Sequence, residues 1–558
     1  MIDVTMQPGA SHFSLRAPSE LHIPLVEIGG SHFASFADVY SYPATVFCAQ
    51  AIRNLSINQN IQLNSDESFK EVLKRFDLIK PLRDRTKDAS KLDQPLIRAA
   101  DSWEWQLQAY HVGLNLDAVM WWMGVGTGKS KVTIDMIQNA GHLKIVMGMP
   151  NHILKDPECW DRQFELYAKT DYMLEVLDHG STKANLERVM IQTRRMAGSK
   201  VPLIFAVNYE SIWRKGLDEA LLKWQPDLLV MEESHKIKAP GGKASRYIGR
   251  LGMRSKQRCG LTGTLMPNSQ LDVYGQFRAL DPGIFGTSFS RFRDEYAHVY
   301  DHNGVPIIQY YKNQKQLAEK IAPITVQVES KVLKLPEPIH DSRMFDLTPS
   351  ERKIYDEIEQ EYCTETEQGY LTVTNGLTKI LRLQQLTGGW LPLREDNIEA
   401  ELKRIGKSKQ DLLRDLLEDI PSDEPVVIFA RFTADLDSVK EVAAELKRPY
   451  GEISGRAYDK GLWDQGKVIN LGINVKSGEG IDTLKKARYG IFYSVGYSNG
   501  EFEQCVGRLR RPGMRDFCYF YHLVARNTVD IAVYKALKAK QSIRDQVIGY
   551  LREHAKAA

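Results

Sequence analysis

Continuous apolar runs, several of them separated by stretches of helical periodicity, recur in two separate parts of this 558-residue chain. In the first part they lie at 118–123 (Ala-Val-Met-Trp-Trp-Met), 143–149, 203–207, 228–231 and 258–261. In the second they lie at 425–430, 467–473, 489–493 and 517–523. A strand apolar on both faces has no solvent side, so its sheet must be covered twice, and alternation with helices makes that sheet parallel. The expected fold class is α/β, with two parallel-sheet lobes. Length agrees, since domains of about 100–200 residues would give a chain of this size three or four.

Residues 1–95 differ in texture. The runs Leu21–Val26 and Ala44–Cys48 read as strands set off by Gly and Pro. Phe69, Val72, Leu73, Phe76 and Ile79 recur at helical spacing, and the charged stretch 83–88 reads as an exposed linker. A small mixed α+β accessory domain is expected over 1–95, and the first lobe over 96–285. Residues 286–405, with aromatic clusters such as Phe289, Phe292 and Tyr296, read as a helical insert and linker. The second lobe is placed at 406–545 and a tail at 546–558.

Lysine and arginine total 74 against 71 acids, a formal charge of +3. So near-neutral a sum leaves nucleic-acid binding to be decided by where the charge sits. The six cysteines are scattered without a C-x-x-C pair, so neither zinc nor disulfides are expected. No stretch approaches ~18 consecutive apolar residues and the N-terminus has no basic-then-apolar pattern, so no membrane partner is expected. The expected location is cytoplasmic.

Gly126-Thr127-Gly128-Lys129-Ser130 follows the run 118–123 and opens the amphipathic stretch Val132, Ile134, Met136, Ile137. Small residues let backbone N–H groups wrap phosphates at a helix N-terminus. Lys129 would reach the β- and γ-phosphates of ATP, and the Ser130 hydroxyl would ligate Mg²⁺. The alternative is a glycine-rich turn capping a structural helix. About 100 residues on, Leu228–Met231 runs into Glu232-Glu233-Ser234-His235. Glu232 would hold Mg²⁺, Glu233 would orient the attacking water, and His235 would sense the γ-phosphate between the lobes. Alone, this segment reads better as a solvated strand end with a surface histidine; beside Lys129 it reads as a hydrolytic site.

The pair G-T-G-K-S and E-E-S-H-K-I-K resembles the nucleotide site of superfamily-two helicases, most closely the Swi/Snf-type DNA translocases. Leu261-Thr262-Gly263-Thr264 with Pro267-Asn268 resembles the family's L-T-G-T-P-x-x-N segment. Val207-Asn208-Tyr209-Glu210, Met149-Pro150 with Trp160 and Phe164, and Leu381-Arg382-Leu383-Gln384-Gln385 resemble further family segments. Gln504-Cys505-Val506-Gly507-Arg508-Leu509-Arg510-Arg511-Pro512-Gly513 matches Q-x-x-G-R-x-x-R-x-G. The resemblance covers roughly 100–540, in order. It implies two RecA-like lobes, and it makes Gln504, Arg508 and Arg511 part of the catalytic set, the arginines as fingers on the phosphates. It also implies nucleotide contacts from Gly480 and Asp482 in Ser477–Asp482. Gln106 is the candidate adenine reader, with Gln108 competing. Three positions depart from the pattern: Met123 replaces the first loop glycine, Glu232 the usual aspartate, and Leu265 a proline.

Between Lys236 and Arg258 stand eight basic residues and no acid. Arg250 and Arg254 are candidate phosphate contacts, with a solubilising helix face as the alternative. Asn208, Arg431 and Lys485 are further candidates, whereas Trp121 and Trp122 read as core. The expected activity is an ATP-dependent translocase on duplex or branched DNA, with RNA not excluded. Its spare layout suits a bacteriophage or bacterial protein, the former placing it in host cytoplasm. A strand-separating helicase and a scaffold with weakened ATPase are the alternatives.

Overall fold

Every residue of Ala118–Met123 is buried, as a strand covered on both faces requires. In the computed structural model, which describes all residues except 7–11, 29–31, 35–38, 156–158, 303–304, 368–372, 393–401, 476–482, 513, 515–516 and 540–558, this strand lies inside a seven-stranded sheet. The strand order is Thr325–Val328, Ala118–Met123, Gln257–Thr262, Leu228–Met231, Lys144–Met149, Leu203–Asn208, Met173–Val176. All its pairings are parallel. The expected strands of the first part all appear, within a residue or so of their expected ends.

A second, six-stranded parallel sheet has the order Ile339–Phe345, Tyr519–Ala525, Tyr489–Phe492, Val426–Ala430, Asn470–Asn474, Tyr450–Ile453. Val427 and Phe429 join one core cluster and Val426 and Ile428 another, so the two-residue strand period feeds a core on each face. The α/β fold with two parallel-sheet lobes is present. The described residues divide into two compact units, one built from Met1–Tyr300 with Ile308–Val332, the other from 333–539 with Asp301–Ile307.

Three expectations are corrected. The runs at 21–26 and 44–48 are not strands. His22–Glu27 is a short helix, and Val46–Asn58 is a helix whose N-cap Thr45 accepts from the Cys48 N–H; a cap outweighs the β-branched residues inside it. The stretch 83–88 is not a linker: helix Glu67–Thr86 covers its first four residues, and Arg83 donates to the Thr325 carbonyl at 2.9 Å. Residues 286–405 hold strands beside the expected helices: Thr325–Val328 is an edge strand of the first sheet and Ile339–Phe345 an edge strand of the second.

The N-terminal region is mixed, as expected: a five-stranded sheet ordered His32–Ala34, Val39–Pro43, His12–Arg16, Ile2–Thr5, Leu63–Ser65. One core cluster runs unbroken from Ile2 in this sheet to Val328 in the large one. At the seam, Thr45 donates to Asp281 at 2.7 Å. Gly283 meets the helix there so closely that a Cβ would lie 2.3 Å from the Cys48 nitrogen.

Candidate active site

The phosphate loop hangs between strand Ala118–Met123 and helix Lys129–Ala140. Gly126 and Gly128 have φ of 79° and 91°, where only glycine is unstrained. Met123 stands where the motif has its first glycine because this position is still strand: it is fully buried, and its carbonyl accepts from Lys129 Nζ at 2.9 Å. The tight position is Gly124, whose Cβ would fall 2.7 Å from the Ser330 nitrogen.

Two residues of helix Glu104–Asn115, before the loop, hold it. Gln106, 3% exposed, donates to the Thr127 carbonyl at 3.1 Å and accepts from the Trp103 N–H at 3.0 Å. Trp105 donates to the same carbonyl at 3.0 Å. Both ends of the Gln106 amide are therefore committed to protein partners, which makes it a brace for the loop. Gln108 instead reaches the Lys87 carbonyl on the exposed surface. Sequence reasoning missed Trp105, and also Lys131 and Asp135, a buried pair 2.6 Å apart on the same helix that is completed by Ser102.

The acidic strand end lies on this same unit. Glu232 is buried, and its Oε2 has no hydrogen-bond partner among the described residues. Burial, followed by the adjacent Glu233 carboxylate, pushes the Glu232 carboxyl well above the usual carboxylate range, while the Lys129 ammonium pulls it down. Tyr209 fixes this strand end by donating to the Glu232 carbonyl at 2.7 Å. The Ser130 hydroxyl takes no hydrogen bond from protein among the described residues. An orphaned buried carboxylate oxygen and an uncommitted hydroxyl, on elements that flank one lysine, form a donor set that fits Mg²⁺.

Glu233 adopts the left-handed conformation, φ 45°, at the turn out of the strand. Its carboxylate lies 3.2 Å from His235 Nδ1 and 3.5 Å from the Thr262 hydroxyl, and His235 lies 3.1 Å from that hydroxyl. Thr262 in turn accepts from the Thr264 N–H. Glu233, His235 and the threonine-glycine-threonine segment thus share one hydrogen-bonded cluster. Below it, Gln276 accepts from Ser234 and donates to the Leu265 carbonyl, tying in the position where the motif has proline.

In the other unit, Gln504, Arg508 and Arg511 fall at i, i+4 and i+7 along helix Asn499–Leu509 and the turn that follows. Gln504 and Arg508 are buried. Arg510 is committed elsewhere, pairing with Glu337 and donating to the Leu335 and Pro336 carbonyls. Gly480 and Asp482 lie outside the described residues. Lys485 is exposed in the turn Thr483–Lys486. Arg431 is half-buried and donates to Gln384, a residue of helix Val373–Thr387. Asn208 is buried, accepting from the Ser211 N–H and donating to Asn151, so it shapes its turn. Arg250 and Arg254 are exposed. Trp121 and Trp122 are core residues.

The SNF2-related domain family matches residues 59–388. Protein p41 of Acyrthosiphon pisum secondary endosymbiont phage 1 is 21% identical over 365 residues, 62% of this chain and 76% of that protein. The uncharacterized ATP-dependent helicase YqhH of Bacillus subtilis (strain 168) is 24% identical over 362 residues, 60% of this chain and 62% of its own length. Among solved structures, the Sulfolobus solfataricus SWI2/SNF2 ATPase core in complex with dsDNA shares 18% identity, covering 81% of this chain and 94% of that one, at a TM-score of 0.38. Among the described residues no helix is long and apolar enough to cross a membrane.

Proposed function

The chain belongs to the SNF2-related domain family, a family of ATP-dependent, helicase-type ATPases, and from that premise we propose that it couples ATP hydrolysis to movement along duplex or branched DNA. The observation that carries this reading is the single hydrogen-bonded cluster of Glu233, His235 and Thr262, set beside Lys129 and Glu232. A group that positions a water belongs in a motor beside a segment like Leu261–Thr264, which resembles the family segment that couples hydrolysis to movement, and a scaffold has no use for that connection.

In this reading the loop N–H groups and Lys129 bind the ATP phosphates at the N-terminus of helix Lys129–Ala140. Ser130 and Glu232 would hold Mg²⁺, which when bound neutralises phosphate charge. Glu233 orients the attacking water, and His235 passes the state of that carboxylate to Thr262 and Thr264. Gln504, Arg508 and Arg511 are assigned to catalysis from the motif they match, the two arginines stabilising charge that develops on the transferring phosphoryl group. Gly480 and Asp482 are assigned nucleotide contacts on the same ground. Arg250, Arg254, Arg431, Asn208 and Lys485 are assigned to the nucleic-acid track, Asn208 by shaping its turn.

Triplex displacement tests the movement. A translocase should strip a third-strand oligonucleotide from an intact duplex in an ATP-dependent manner, leaving the two duplex strands annealed. Strand separation without third-strand release would assign the chain to the unwinding helicases instead.

A further inference from the structure

The fold sorts most of the basic residues between Lys236 and Arg258 into two sets. Lys238 pairs with Asp272 and Lys256 with Asp227, while Arg258 is buried and donates to the Ser255 carbonyl. Lys243, Arg246, Arg250 and Arg254 do none of this. All four are exposed, and none forms an ion pair among the described residues. Their spacing of three and four residues puts them on one stripe of helix Lys243–Gly252 and the turn beyond it.

That stripe is one wall of an open cleft of about 830 Å³. The other walls include His12 and Pro43, which face each other across paired strands of the N-terminal sheet, and Trp213. The Lys243 ammonium sits 4.5 Å from the centre of the Trp213 ring. Arg278 adds a fifth cation, fixed by bonds to the Pro240 carbonyl and the Ser245 hydroxyl. Among the described residues no aspartate or glutamate lines the cleft. None of its residues belongs to the nucleotide half-site.

Like charges at helical i, i+4 spacing repel, so four cations in a row with no counter-charge lower stability that an anionic occupant restores. The stripe from 243 to 254 is roughly 16 Å long at 1.5 Å per residue, which a small anion cannot fill and a run of successive phosphates can. Cations along one wall with an aromatic ring beside them suit a sugar–phosphate chain. We propose that this cleft, shared by the N-terminal sheet and the helix after the acidic strand end, is a nucleic-acid backbone site separate from the ATP-coupled cluster. It rests on the reading that the protein acts on nucleic acid, and it gives the N-terminal region a role as the second wall of a tether.

The test is fluorescence anisotropy on the full chain, without nucleotide, using a labelled duplex and a labelled single strand of about 30 nucleotides between about 50 and 200 mM salt. Replacing Arg246, Arg250 and Arg254 together with Ala should flatten the duplex slope of log K against log salt by about 2.7, near 0.9 per lost phosphate contact. Lys at the same three positions should restore the slope, because backbone phosphates need charge more than a planar fork. Trp213→Ala should weaken binding roughly tenfold at fixed salt while leaving the slope alone. A wild-type slope in the alanine variant, or unchanged affinity in Trp213→Ala, would overturn the two-walled cleft. Poly-glutamate displacing duplex at matched charge would overturn nucleic acid in favour of an acidic protein surface. A cleft-dependent slope in a protein whose ATPase ignores DNA would sink the motor and leave the cleft standing.

Discussion

Glu233 shows most directly what single residues contribute. Its left-handed backbone turns the carboxylate back toward His235 and Thr262, and glutamine is nearly the same shape without the charge. Glu233→Gln should keep ATP affinity within a few-fold and lower turnover by about 10²–10⁴, the usual contribution of a positioned base. Nucleotide titration and phosphate release measure the two separately, and normal turnover would remove Glu233 from the chemistry. At this scale the sequence was legible in placement: Lys129 and Ser130 open a helix that follows a buried strand, and the Glu232-Glu233 pair follows another. It was silent on partners that spacing cannot pair: that Gln106 and Trp105 converge on one carbonyl of the loop, or that Trp213 faces Lys243. The Gln106 amide, expected at the base, bonds the Thr127 carbonyl and the Trp103 N–H in this structure.

Among elements, legibility followed burial. Strands with two apolar faces were found within a residue or so of their ends in the first sheet and within three residues in the second. Those overlooked carry polar residues that only tertiary partners make tolerable. Met173–Val176 buries Glu175 against Arg188 and Gln192, and Tyr450–Ile453 buries Glu452 against Arg456. Ile339–Phe345 is a mostly exposed edge strand with no apolar period to detect. The second sheet also carries a titratable residue in its core. His522 packs flat on Phe492 at 5.1 Å, with Nε2 2.9 Å from His340 Nδ1 and Nδ1 3.1 Å from the Tyr534 hydroxyl. Burial, with lesser repulsion from His340 and Lys538, pushes its pKa down to about 3, and burial lowers His340 as well. Between pH 6.5 and 3 the unfolded chain therefore binds a proton that the folded His522 refuses, so stability falls as pH drops. The slope from this residue approaches about 1.4 kcal/mol per pH unit. Denaturant unfolding followed from pH 7.5 to 5 should show that loss for the transition of the second sheet, and His522→Phe should flatten it. A pH-independent midpoint in the wild type would contradict the buried neutral imidazole.

For the molecule as a whole, the N-terminal region is the largest surprise. Its sequence offered a charged stretch that looked like a tether, yet Arg83 in that stretch bonds the edge strand of the first sheet, and the two regions share one core. Deleting residues 1–95 should therefore cost the first sheet its cooperative unfolding transition, exposing Asp281, which is buried and bonded to Thr45 and the Phe47 N–H. A truncated chain that melts cooperatively at the wild-type midpoint would restore the picture of an appended domain.

The catalytic reading depends on Lys129 serving a nucleotide whose hydrolysis answers to DNA. Steady-state phosphate release by the wild type and by Lys129→Ala, each with and without duplex DNA, measures this directly. The expected result is strong stimulation of the wild type by duplex and none in the variant, whose hydrolysis falls to background. Equal hydrolysis by the two proteins, or a wild-type rate that duplex leaves unchanged, would contradict it.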